Sequence, residues 1–222
     1  FVAENNDRPV AKFSDAAVLR AGSADMPWIP YVEDVYGYRY VENTLIDRLK
    51  FGNSADWGAH LGGKVMDGMV NYAVSAVNGN GYSNPSRSKS LDFEGRVGVM
   101  PIKDLTLAAG FYNGKLGNDV GGTSTANSAT RWDVLAAYSY TMFKVGAEYF
   151  NAENFNATAI KTGPTDKADG YSLWGSVSPM EKVAVFARYD EAKPNKDTKP
   201  SLKDTYYNVG VSYAARKNVD LA

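Results

Sequence analysis

The chain has 222 residues, with 24 Lys and Arg against 25 Asp and Glu, a single histidine and no cysteine. Balanced charge argues against nucleic acid as a partner, because a phosphate-binding surface needs a basic excess. The missing thiols exclude disulfide scaffolds, redox pairs and thiolate metal sites, and they fit an envelope protein in an oxidising compartment.

No apolar run approaches the ~18 residues that a membrane helix needs, so a helical membrane protein is excluded. With 15 Tyr and 21 Gly, the composition suits strands and turns better than helices. No secretory leader precedes Phe1, and the chain is read as mature or trimmed.

In chain order, a short strand is expected over 16–24. The segment 25–55 follows. It opens on Asp25-Met26-Pro27-Trp28-Ile29-Pro30-Tyr31, and its part 41–50 reads as about two helical turns. It is long for a hairpin connection and too aromatic for disorder. A loop folded into a pore as its constriction is the favoured reading, with an extracellular cap or a subunit contact close behind.

From Trp57 onward the chain reads in period two, which sends neighbouring side chains to opposite faces of a strand. The segments 56–65 and 69–78 begin the series. Leu91, Phe93, Val97 and Val99 then alternate with Asp92, Glu94, Arg96 and Gly98. Leu105, Leu107, Ala109 and Phe111 alternate with Thr106, Ala108, Gly110 and Tyr112. The same rhythm runs through Trp132 to Tyr140, Phe143 to Phe150, Tyr171 to Val177, Val183 to Asp190 and Tyr206 to Tyr213. One face carries charges in mid-strand. The other is Val, Leu, Ala and aromatic, with Trp57, Phe93, Phe111, Trp132, Tyr140, Phe143, Tyr149, Tyr171, Tyr189, Tyr207 and Tyr213 at the ends of its apolar rows. Aromatic girdles flanking an apolar band are what a membrane barrel shows to lipid.

The connections sort by length. Short turns are centred near Asp67-Gly68, Lys103-Asp104, Met142, Met180-Glu181 and Asn218, recurring every 36–39 residues. Asp67-Gly68 reads as a two-residue hairpin turn with positive φ at both positions. Longer polar loops at 79–89, 115–129, 153–168 and 191–203 lie between them. Short turns at one end and long loops at the other are the outer-membrane arrangement.

Four stretches carry a family likeness: Leu19-Arg20-Ala21-Gly22, Pro27-Trp28-Ile29-Pro30-Tyr31-Val32-Glu33, Tyr36-Gly37-Tyr38-Arg39-Tyr40-Val41 and Ser54-Ala55-Asp56-Trp57-Gly58. Together they resemble the phosphate-selective porin O and P type of outer-membrane porin. The detailed likeness covers 16–60, and beyond it only the hairpin rhythm matches. The resemblance implies a barrel of sixteen or eighteen strands, often trimeric, passing small solutes. The chain departs from a complete member. It offers about ten strands, no leader and no terminal strand ending in an aromatic residue, and Val219-Asp220-Leu221-Ala222 reads as the start of another strand. The expectation is therefore a piece of a longer protein.

Catalytic chemistry has little to work with. His60 shares a face with Gly58, Gly62 and Lys64 and is expected in the lumen. Asp92, Glu94 and Glu148 could pair as hydrolytic acids, but a charged pore lining is the better reading. Gly114-Lys115 and Gly121-Gly122 miss the spacing of a phosphate loop, and the Asn156-Ala157-Thr158 sequon carries little weight. The candidate pore-lining residues are Arg20, His60, Lys64, Asp92, Glu94, Arg96, Asp133, Lys144, Glu148, Arg188 and Asp190, joined from the inserted loop by Arg39, Asp47, Arg48 and Lys50. They hold eight basic side chains, six acidic ones and one histidine, too even a balance to assign an ion preference.

The sequence thus predicts an all-β, antiparallel, up-and-down transmembrane β-barrel domain over 1–222. About ten strands belong to a larger wall, and 25–55 is its inserted loop. The expected function is a passive diffusion channel for small hydrophilic or ionic solutes in the bacterial outer membrane. It would have no enzymatic activity, cofactor or metal. Its partners would be membrane lipid, lipopolysaccharide and two further copies in a homotrimer. The competing readings are a soluble all-β binding domain, with the greasy rows packed inside, and an outer-membrane barrel with an enzymatic or adhesive role.

Overall fold

A computed structural model describes residues 10–85, 88–120, 126–156, 159–161, 163–216 and 219–222, without the side chains of 10–14 and 220. Three features of the sequence lie outside these residues: the turn near Asn218, Gly121-Gly122, and Ala157-Thr158 of the sequon. The described residues form one twelve-stranded antiparallel sheet in which every strand pairs with its neighbour in sequence. The strands are β1 (Val10–Ser14), β2 (Ala17–Asp25), β3 (Ala55–Val65), β4 (Val70–Val77), β5 (Asp92–Val99), β6 (Leu105–Gly114), β7 (Ala129–Tyr140), β8 (Phe143–Glu153), β9 (Lys167–Met180), β10 (Val183–Lys193), β11 (Asp204–Arg216) and β12 (Val219–Leu221). The ten expected strands are β2 to β11. The additions are β1 and β12, short strands at the two edges of the sheet.

The turns sort as expected. Residues 66–69, 100–104, 141–142 and 181–182 close one end, and the longer connections gather at the other. The turn at Asp67-Gly68 is longer than two residues. Met66 joins Asp67 and Gly68 at positive φ, and strand pairing resumes only at Val65 opposite Val70. The hairpin is therefore closed by four residues, with Met69 N–H donating to Met66 O at 3.0 Å.

The faces separate by polarity. Val134 and Trp132 on β7, Val145 on β8, Leu173 on β9 and Val209 and Val211 on β11 are all exposed. Between them along the same strands, Asp133, Leu135, Glu148, Phe150, Ser172 and Trp174 are buried. A soluble sandwich would bury its greasy rows; here those rows form the outer surface. All eleven aromatic residues named from the sequence lie on this outer face. Tyr149, Tyr171 and Tyr189 are half-buried among their neighbours and the other eight are exposed. They form two tiers. Trp132 packs on Tyr149 (5.2 Å between ring centroids) and Tyr171 on Tyr189 (6.2 Å) towards the long-loop end, while Tyr140 packs on Phe143 (5.7 Å) beside a short turn. From Trp132 to Tyr140 the strand runs about 27 Å at ~3.4 Å per residue, which at a tilt of about 40° covers roughly 21 Å of the ~25 Å apolar band of an outer-membrane barrel.

The long loops are tied to one another. Asp166 is the main knot. Its carboxylate accepts from Asn156 Nδ2 (2.8 Å), Asn195 Nδ2 (3.0 Å), the Asp197 amide (3.0 Å) and the Thr198 hydroxyl, so it joins the β8–β9 loop to the β10–β11 loop. Burial alone would raise its pKa, but the hydrogen bonds from Thr198, Asn195 and the two backbone amides outweigh it and hold the carboxyl below its ordinary value of 3.8. A depressed carboxylate stabilises the docked form above the ordinary value and loses that contribution only as pH falls through the lower one. The protection of amides in 154–156, 163–166 and 194–203, taken relative to the intrinsic exchange rate at each pH, is thus expected to stay high and constant from pH 8 down to about 4, and to fall only below that. Asp166→Asn is expected to speed exchange across the whole range. Equal protection in the variant at pH 7 would remove the knot.

Candidate functional site

The 29 residues of segment 26–54 join β2 to β3 and lie against the inner face of the sheet. The helix sits earlier than 41–50. It is α1 (Ile29–Tyr36), and only one turn, α2 (Leu45–Arg48), forms in the part expected to be helical. Pro30 falls in the first turn of α1, where no intrahelical N–H is needed. Gly37 ends the helix at φ 82°, its N–H donating to Glu33 O at 2.8 Å, the left-handed closure that glycine adopts without strain. Ile29, Val32 and Tyr36 recur at helical spacing and are buried. With Leu45, Ile46 and Phe51 they pack on Leu135, Phe150 and Trp174 of the wall.

Charged wall residues hold the segment by its backbone and by one indole. The Trp28 N–H donates to Glu94 Oε1 at 2.8 Å and Trp28 Nε1 to Glu148 Oε1 at 2.9 Å. The ring lies over Gly110, where an added Cβ would come within 2.5 Å of it. Arg96 Nε donates to Pro27 O at 2.8 Å, and its guanidinium lies 3.7 Å from the centre of the Tyr31 ring. Arg131 donates to Phe51 O and is held between Asp133 (3.0 Å) and Glu94 (3.4 Å). Arg188 donates to Asn43 O at 2.7 Å and to Asp190 at 2.8 Å. From the segment, Arg48 reaches back to Asp190 (3.4 Å) and Asp204 and lies over the Tyr206 ring at 4.8 Å. These contacts span β5 to β11 and fix the segment at several heights.

This placement changes the role of much of the expected pore lining. Asp92, Glu94, Arg96, Asp133, Glu148, Arg188, Asp190 and His60 are on the inner face, yet all are buried. In the structure they are covered and not open to water. Asp92 is covered by the β6–β7 loop, accepting from the Lys115 and Leu116 amides (both 2.7 Å), and it accepts from the Tyr112 hydroxyl of β6 (2.5 Å). His60 Nδ1 shares a hydrogen bond with the Ser75 hydroxyl at 2.8 Å. The others are covered by the inserted segment, because a charge taken out of water is kept only beside a partner. Asp47 of the segment is also buried and pairs with Lys50 at 3.3 Å. Lys50, Arg39 and Lys64 are open to water, and Arg20, Arg48 and Lys144 are half-open. Arg39 pairs with Glu33 at 2.6 Å; burial raises the Glu33 pKa, and the Arg39 guanidinium offsets only part of that.

Period-two reading from Trp132 skipped Arg131, although it opens the row Arg131, Asp133, Leu135, Ala137. The wall partners of Trp28, Tyr31 and Asn43 gave no signal, since a loop residue's partner on a distant strand has no sequence spacing to betray it.

A family model described as Gram-negative porin matches residues 43–222. The chain belongs to the Gram-negative porin family. The porin is therefore an outer-membrane β-barrel protein of a family of channels that are not enzymes, and the soluble reading falls away. Its fold resembles solved porins at low sequence identity. OmpF of Salmonella typhi, solved in complex with daunomycin, is 14% identical with a TM-score of 0.67, over 95% of this chain and 66% of that one. A porin refined at 1.8 Å resolution is 14% identical with a TM-score of 0.58, over 93% and 70%. The in-vitro folded OmpT of Vibrio cholerae, in trimer form, is 17% identical with a TM-score of 0.55, over 90% and 62%. The porin thus spans about two thirds of the length of these structures. No curated protein sequence matches it.

Proposed function

We propose that the protein is a passive diffusion channel for small hydrophilic or ionic solutes, with the inserted segment as its constriction. The observation that carries this reading is the segment 26–54 seated on a charged inner face, behind a wall whose apolar rows point outward. Lipid holds the outer band, the aromatic tiers meet the headgroups and lipopolysaccharide, and solutes pass the side of the segment left open to water. Lys50, Arg39, Lys64, Arg20 and Lys144 are the charges that tune this passage. Residues 1–222 form one partial barrel domain of a wall of sixteen or eighteen strands. The trimer form of the Vibrio cholerae OmpT structure supports a homotrimer.

Phosphate selectivity is the narrower reading that the O and P resemblance suggests. The buried arginines weigh against it: Arg96, Arg131 and Arg188 already donate to carboxylates, carbonyls or amide oxygens, which leaves no tight cluster free for a dianion. Planar-bilayer recording of the full-length protein decides between these readings. Stepwise conductance with modest ion preference in KCl gradients supports the general channel. A permeability to phosphate well above that to chloride would restore the narrower one, and no conductance at all would end both.

A further inference from the structure

We infer that the inner wall carries a subsite for a small organic carboxylate at the short-turn end, built on Lys144. An open pocket of about 310 Å³ lies there between the stretch after α1, the β7–β8 turn at 140–143 and the inner face of β7, β8, β9 and β11. This is the low end of the range for small-molecule pockets, roughly 300–1,000 Å³. Lys144 is half-buried in it. Arg48, Arg96, Arg131 and Arg188 are all taken up by carboxylates or carbonyls. Lys144 has no such partner among the described residues, and no acidic side chain lines the cavity.

The neighbours of Lys144 across the sheet are Ser139 and Ser176, and Ser212 lines the same space. An ammonium withdrawn from bulk water without a counter-charge favours an anion from solution, and serine hydroxyls donate to carboxylate oxygens. Tyr38 and Tyr40 roof the cavity with ring centroids 6.0 Å apart, and Tyr38 is fixed by stacking on Phe186 at 4.5 Å. Two rings beside one cation suit a monovalent anion with a flat apolar body better than a dianion, which a single ammonium would leave half neutralised. The backbone at Gly37 passes close to the site: a Cβ there would lie 3.2 Å from the Lys144 ammonium.

This subsite depends on the channel reading for its access route only. The test uses the full-length protein with benzoate, acetate and inorganic phosphate as probes. Benzoate binding is followed by block of single-channel current and by calorimetry on the detergent-solubilised protein. Benzoate is expected to bind more tightly than acetate or phosphate. Lys144→Gln is expected to weaken it about ten- to a hundredfold, the loss of a charge-assisted contact, while Lys144→Arg stays within about threefold of the unaltered protein on the same scale. Tyr40→Ser is expected to weaken benzoate by roughly three- to tenfold, the scale of an aromatic contact, and leave acetate unchanged. Equal benzoate affinity in Lys144→Gln, no measurable benzoate binding, or phosphate binding as tightly as benzoate would each overturn the subsite. Calorimetric binding without conductance would retire the channel and keep the subsite.

Discussion

Trp28→Ala is expected to destabilise the folded protein by about 3–5 kcal/mol, the cost of emptying a buried tryptophan site, and to raise its single-channel conductance. The indole is fully buried and joins α1 to the wall at Glu148, while the backbone of the same residue is held by Glu94. Removing the ring leaves the Glu148 carboxylate without that donor and opens a void between α1 and β6. The segment then has less to keep it against the wall, and the passage beside it widens in time average. Gly110→Val provides an independent route to the same end, because its side chain would occupy the space of the Trp28 ring. Denaturant titration in detergent and bilayer recording read the two effects separately. If both variants kept the parent's conductance and noise, the segment would have no part in limiting the current.

Val134→Arg is expected to cost about 2–4 kcal/mol of folding free energy in lipid, as for a basic residue at the midplane of a barrel's outer face. Val134 lies between the aromatic tiers on β7, with Trp132 above it and Tyr140 below, and is exposed. An arginine there meets acyl chains, whereas Lys144→Gln, on the opposite face of the neighbouring strand, is expected to change folding by less than about 1 kcal/mol. Reversible urea titrations in lipid vesicles compare the two directly. Normal folding of Val134→Arg would mean that lipid does not touch this face, and the outward band would lose its meaning.

Much of the wall was legible in the sequence because it is local. A strand places residues i and i+2 on one face whatever lies beside it, so Val134 and Asp133 declared opposite faces before any neighbour was known. The short turns were equally local, since Asp67 and Gly68 are residue types that accept positive φ. Even there the sequence misjudged one length, because Met66 also adopts positive φ, a cost for a long side chain that only the closing of β3 on β4 offsets.

The inserted segment was legible as an interruption and not as a structure. Its helix falls at Ile29–Tyr36 rather than across 41–50, because a stretch with two prolines and three aromatics becomes helical only where the wall buries one side of it. Intrinsic propensity is a weak prior that such packing overrides.

The sequence by itself determined the antiparallel wall, the side facing lipid and the sorting of turns from loops, all of which follow from alternation along single strands. Only the tertiary structure decided what the inward charges do. Glu94, Glu148, Arg96, Arg131 and Arg188 meet residues tens of positions away in the chain, and a charge becomes a clamp or a solvated lining according to what covers it. Covering depends on distance in space, which the order of residues along one strand does not carry.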